Sequence, residues 1–245
     1  MSSDYNHITF SIPNMNFEGD AIISRQKHAK WRLICIPGAP SQTFLFKRLL
    51  QLTPNSLETV VVNRLGYGKP HDTPVLNFNE QVKIVEPFLS DKRTLLLGMS
   101  YGGAISLKAA LNYPDDIEGV VTGAALISEP RNYAKAIVDF DKFDFLKPIT
   151  PRRLQHMRAE IKGRRVQIGP LLEELKNLNI PIEVLHGTLD TLVAKEDAQT
   201  LVNAIGENAH YEEIVGGTHY LEMQMPQIIL RAADRVIKRI NSQSS

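Results

Sequence analysis

The chain has a single cysteine among 245 residues. No intramolecular disulfide can brace it, and its stability has to come from a packed core. Cys35 lies inside the apolar run Leu33 to Ile36, where a thiol behaves as a small hydrophobe rather than as a nucleophile. Charge of one sign is also lacking: 28 Lys and Arg stand against 27 Asp and Glu, a net charge of +1, which argues against a dedicated nucleic-acid binder. No run of about 18 apolar residues occurs, so no membrane-spanning helix is predicted. The segment Met1 to His7 has neither the basic region nor the apolar core of a signal peptide, and a cytoplasmic location is expected. The seven histidines are scattered and form no metal-ligand cluster, so no metal and no cofactor are expected. Internal repeats and low-complexity tracts are absent as well.

What is present is ordinary globular material, 43% hydrophobic and 22% charged, of a length that suits one α/β domain. Apolar runs bounded by turn residues predict strands near His7 to Ile12, Asp20 to Ser24, Arg32 to Ile36, Thr59 to Asn63, Arg93 to Gly98, Gly119 to Ala124, Ile182 to Leu185 and Tyr211 to Val215. Helical patterns fill most of the gaps, at Gln42 to Leu52, Asn79 to Leu89, Tyr101 to Leu111, Leu171 to Asn177, Lys195 to Ile205 and Pro226 to Ile240. Strands alternating with helices imply a mostly parallel sheet covered on both faces, with a binding site beyond the C-terminal ends of the strands.

Three loops at that edge carry candidate chemistry. Gly98-Met99-Ser100-Tyr101-Gly102 is a G-x-S-x-G between an apolar strand and a helical segment, the context of a nucleophile elbow. The turn lifts the Ser100 hydroxyl clear of the backbone, and glycines on either side keep Cβ atoms out of a space where strand and helix nearly touch. A serine hydroxyl is a weak nucleophile, so it needs a base and a group to orient that base. Asp190 follows the strand Ile182 to Leu185, and His219 follows the strand Tyr211 to Val215. They are the candidate acid and base, with Glu129 a rival acid in a shifted arrangement. His186 lies at a strand end before Gly187, and His156 in the segment 129–168; His71, close to Asn63 and Tyr67, is read as a solvated loop histidine, with a place at the pocket rim as the alternative.

The order Ser100, Asp190, His219 resembles that of the α/β-hydrolase superfamily. The resemblance runs from about Ile8 to Ile240 and includes the blocks Ile34 to Pro40 and Asn63 to Pro70. It implies an α/β-hydrolase fold, and an oxyanion hole built from the backbone N–H groups of Ala39 and Tyr101. Pro40 has no N–H to offer and biases Ala39 toward an extended conformation, which favours Ala39 as the donor. Many relatives carry Asp where this chain has Asn63. Relatives also often insert a helical cap, which implies a cap at 129–168 and a hydrolase core at 1–128 and 169–245.

The implied activity is that of a cofactor-independent serine esterase acting on a small or medium carboxylic ester, or an amide, thioester or lactone. Carbon–carbon bond hydrolysis, perhydrolysis, hydroxynitrile cleavage or a weakly active ligand-binding role are alternatives on the same three residues. The expected partner is a small-molecule substrate, with no nucleic acid and no membrane. Met99 and Met223 beside the two loops, and Phe140 and Phe143 in the cap, are candidate substrate contacts. The charges of the cap segment, among them Arg152, Arg153, Arg158, Glu160, Arg164 and Arg165, are read as a solvated mixed-charge face.

Overall fold

In the computed structural model, residues 5–12, 15, 17–26, 28–68, 72–89, 91–128 and 150–243 are described. Eight strands form one sheet: β1 (Tyr5–Ser11), β2 (Glu18–Ser24), β3 (Trp31–Ile36), β4 (Leu57–Val62), β5 (Arg93–Met99), β6 (Ile117–Gly123), β7 (Ile182–Gly187) and β8 (Ala209–Ile214). Their order is β1-β2-β4-β3-β5-β6-β7-β8. The pairings β1 with β2 and β2 with β4 are antiparallel, and all others are parallel. The parallel strands share one direction, so the loops after β5, β7 and β8 emerge along a single edge.

Side-chain alternation explains why both faces are dry. In β3, Leu33 and Cys35 face one apolar cluster while Ile34 and Ile36 face the other, and in β5 Leu95 and Leu97 separate from Leu96 in the same way. A strand buried on both faces therefore reads as a continuous apolar run. One face packs against α1 (Lys47–Leu52) through Leu49 and Leu50, and against α8 (Pro226–Gln243) through Ile229, Ala233 and Val236. The other packs against α3 (Tyr101–Asn112), α5 (Arg165–Glu174) and α6 (Lys195–Ile205). Between β4 and β5 the expected helix is a single turn, α2 (Phe78–Gln81), running into a 3₁₀ stretch at Val82–Phe88. Pro87 lies in that stretch, and without an N–H it cannot donate the i to i−4 bond of an α-helix.

Helix α4 (Arg152–Gly163) lies across the C-terminal edge of the sheet. Its Met157 and Ile161 form a small cluster with Leu126, which follows β6, and Val193, which follows β7. Helix α5 begins directly after α4 and spans the expected 168/169 boundary without interruption.

The reading of the cap-segment charges as a solvated face is corrected for α4 and the two residues that follow it. Arg158, Glu160 and Arg164 are buried, whereas Arg153 and Arg165 are exposed. Glu160 takes Arg64 in two hydrogen bonds, Nη1 to Oε1 at 2.5 Å and Nη2 to Oε2 at 2.9 Å, and Tyr67 Oη donates to Oε2 at 2.7 Å. Fully buried charges persist when they are paired and hydrogen-bonded in this way. Burial pulls the Arg64 guanidinium down, but the Glu160 carboxylate outweighs it and holds Arg64 protonated.

Candidate active site

Ser100 occupies the junction between β5 and α3 at φ 51°, ψ −118°, a positive φ that side-chain-bearing residues rarely adopt. Such strain persists only where the surroundings hold it. The Ser100 N–H donates to Gly123 O at 2.9 Å, and its carbonyl accepts from Gly103 N at 2.9 Å and Leu126 N at 3.1 Å. The two flanking glycines are sterically required. A Cβ on Gly98 would fall on Ser106 and the Gly102 carbonyl, and one on Gly102 would fall on the Ile36 carbonyl of β3.

Gly38, in the loop after β3, approaches so closely that a Cβ there would lie 2.9 Å from the Ser100 Cβ. The Gly38 carbonyl accepts from Arg64 Nη2 at 3.0 Å. The buried Arg64–Glu160 pair thereby connects α4 to the loop beside Ser100. Asn63 donates from Nδ2 to Asp20 Oδ1 at 3.1 Å and to Tyr67 O at 3.0 Å. A carboxylate could make neither bond.

Asp190 and His219 meet across the loops that follow β7 and β8. His219 Nδ1 and Asp190 Oδ2 are 2.9 Å apart. Asp190 Oδ1 accepts from Leu192 N at 2.8 Å and Val193 N at 2.9 Å, and the carboxylate is fully buried. Burial pushes this carboxyl up, but the hydrogen bond and charge of His219 and the two amides outweigh it and hold Asp190 below the ordinary aspartate range. A carboxylate fixed on Nδ1 leaves Nε2 of His219 as the nitrogen free to exchange a proton.

Ser100 and His219 line the same cavity, of about 250 Å³, together with Gly38, Ala39 and Met99. Leu126, Leu154, Met157, Ile161, Leu192 and Val193 make most of it apolar, while Gln42, Tyr220 and Glu222 add polar groups to the wall. Tyr101 opens α3, so its N–H is one of the first-turn amides that have no acceptor within the helix. Its ring turns away and packs on the Arg64 guanidinium at 4.7 Å. Met223, a candidate substrate contact, is 48% exposed and stands outside the cavity wall. The single turn α7 (Leu221–Gln224) points Leu221 and Glu222 inward instead.

Phe140, Phe143, Glu129 and His71 lie outside the described residues. His186 is buried in β7 and does not line this cavity. Burial lowers its pKa more than Asp190, with Nε2 3.9 Å from Oδ2, raises it. His156 is also buried, with Nδ1 3.0 Å from the Gly66 carbonyl oxygen. Among the described residues no group of three or more His, Cys, Asp or Glu side chains is placed to hold a metal ion, and no helix is long and apolar enough to cross a membrane.

Sequence reasoning did not identify three wall-forming side chains of α4, Leu154, Met157 and Ile161. Their i, i+3, i+7 spacing is that of any apolar helix face, which does not say what the face covers. Glu222 was likewise missed, since a lone acid two residues beyond Tyr220 carries no signal of burial.

The strand order and the strand–turn–helix that carries Ser100 define an α/β-hydrolase fold. The 2-hydroxy-6-oxo-6-phenylhexa-2,4-dienoate hydrolase of Rhodococcus sp. strain RHA1 superposes with a TM-score of 0.75 at 12% identity, covering 96% of this chain and 99% of that one. A thermophilic esterase from Thermogutta terrifontis gives 0.67 at 14% identity, covering 96% and 99%. At such identities the likeness speaks for the fold alone. In sequence, an uncharacterized hydrolase of Bacillus subtilis (strain 168) is 23% identical over 83% of this chain and 89% of its own. Residues 33–232 match the model of the alpha/beta hydrolase family, and the chain belongs to that family of hydrolases.

Proposed function

We propose that the protein is a serine hydrolase cleaving a small or medium carboxylic ester through a Ser100-His219-Asp190 triad. The observation that carries this reading is the 2.9 Å contact of His219 Nδ1 with the buried Asp190 carboxylate, made by a histidine that faces the same cavity as the strained Ser100. In this mechanism the Ser100 Oγ attacks the substrate carbonyl while His219 Nε2 takes its proton. Asp190 fixes the imidazole tautomer and stabilises the imidazolium. The N–H groups of Ala39 and Tyr101 hold the developing oxyanion, an effect worth about 3 kcal/mol per donor in comparable sites. His219 then protonates the leaving alcohol, and water attacks the acyl-enzyme with the same histidine as base. In this reading α4 is part of a cap that excludes water from the reacting carbonyl.

The apolar wall favours a hydrocarbon acyl or alkyl group, and a volume of about 250 Å³ suits one of modest size. A fluorophosphonate probe tests the assignment directly. Covalent labelling of Ser100 is expected, with hydrolysis of short p-nitrophenyl esters, and both should vanish in Ser100→Ala. Labelling that persists in that variant would show that the nucleophile is a different residue.

A further inference from the structure

Among the described residues Glu222 is the one acid in the cavity wall, and the proposed triad makes no use of it. It is 4% exposed, and its Oε2 is buried without a hydrogen-bond partner. Orphaned buried oxygens are uncommon in folded proteins, because desolvating one without a compensating bond is unfavourable. Here the oxygen belongs to a side chain that lines a cavity otherwise walled mainly by Met99, Leu126, Met157, Ile161 and Val193. Its place is set by α7, the turn that follows His219 and packs Leu221 into the core beside α8. Among the described residues two titratable groups interact with it electrostatically, His219 from the preceding loop and Cys35 from β3. Neither hydrogen-bonds Oε2: His219 Nδ1 is paired with Asp190, and the Cys35 thiol is directed to the Leu33 carbonyl.

A purely hydrocarbon ligand filling this cavity would leave the oxygen unpaired, whereas a ligand with a donor at the right depth would satisfy it. We propose that Glu222 is a specificity-determining residue, whose Oε2 accepts a hydrogen bond from a hydroxyl or ammonium group on an otherwise apolar ester. The proposal rests on the reading of this cavity as the site of ester hydrolysis. Burial, opposed by its own backbone amide and His219, pushes the carboxyl up to about 7. Above that pH the ionised group favours an ammonium over a hydroxyl, while the acceptor role holds for both.

The experiment compares methyl ω-hydroxyalkanoates and methyl ω-aminoalkanoates of increasing chain length with esters carrying a methyl in place of the donor. At the length that reaches Glu222, wild-type kcat/KM should favour a donor-bearing ester by about tenfold or more, the scale of a hydrogen bond to a charged or buried acceptor. In Glu222→Met, unbranched and of similar volume, the preference should collapse toward unity. Glu222→Gln keeps an acceptor oxygen but not the charge, so the ammonium-to-hydroxyl ratio at pH 8 should fall at least about threefold, which decides the matter if Glu222→Met does not fold. No preference at any length, a preference unchanged in Glu222→Met, or an unchanged ratio in Glu222→Gln would overturn the proposal. Calorimetric binding of the same esters to Ser100→Ala reports the preference independently of turnover. Failure of the triad and failure of the Glu222 assignment are thus read separately.

Discussion

Glu222 makes folding depend on pH in a direction opposite to that of most carboxylates. Its carboxyl rises from the ordinary 4.5 to about 7 on folding, because burial disfavours the charged form. With the folded value raised, the associated stability is fully present below pH 4.5 and is lost as pH rises through 7. At about 1.36 kcal/mol per pH unit, the difference amounts to about 3 kcal/mol once the group is ionised. Replacing Glu222 by Gln removes this dependence. Urea unfolding of both proteins should show Glu222→Gln gaining about 3 kcal/mol on wild type between pH 4.5 and 8, or roughly 6 °C or more in Tm for a chain of this size. The groups that face it, His219 and Cys35, are present in both proteins. Asp190 has the opposite sign, since its lowered pKa gives stability above 3.8 that is lost as pH falls through the folded value. It too is common to both. A stability difference that stays flat from pH 4.5 to 8 would refute the argument, because the carboxyl would then titrate in the folded protein as it does in the unfolded chain.

Substitutions at Asp190 and at the Arg64–Glu160 pair probe the frame of the site. Asp190→Asn should leave the fold intact but lower kcat on p-nitrophenyl esters by up to about 10⁴-fold, the scale for losing the orienting carboxylate of a triad. Retention of activity within about tenfold would move the acid role elsewhere, with Glu129 the next residue to test. Glu160→Leu strands the Arg64 guanidinium in the interior and should destabilise the protein by about 3–5 kcal/mol, whereas adding Arg64→Met should restore much of the loss. Denaturant midpoints of the single and double variants measure this directly, and equal stability of Glu160→Leu and wild type would contradict the pairing.

The sequence by itself determined the elements whose signal is local. The eight strands fall within a few residues of their expected places, most plainly the central β3, β4, β5 and β7, because a strand buried on both faces writes a continuous hydrophobic word into the chain. The spacing of Gly98, Ser100 and Gly102 announced the elbow, since only a side chain as small as hydrogen fits where β5, α3 and β3 converge. The order of the loops after β5, β7 and β8 then placed Ser100, Asp190 and His219 on one edge, because parallel strands point their C-terminal ends the same way. Tertiary structure alone decided the rest. Arg64 and Glu160 are 96 residues apart, and nothing in either neighbourhood shows that two charges will be sealed from water against each other. Met223 and Glu222 are adjacent, yet the methionine faces solvent and the acid the cavity, an inversion of their hydropathies imposed by the way α7 packs beside His219. Local patterns report what a segment prefers. Which face is buried, and whether a buried charge finds a partner there, depends on segments that come together only when the whole chain has folded.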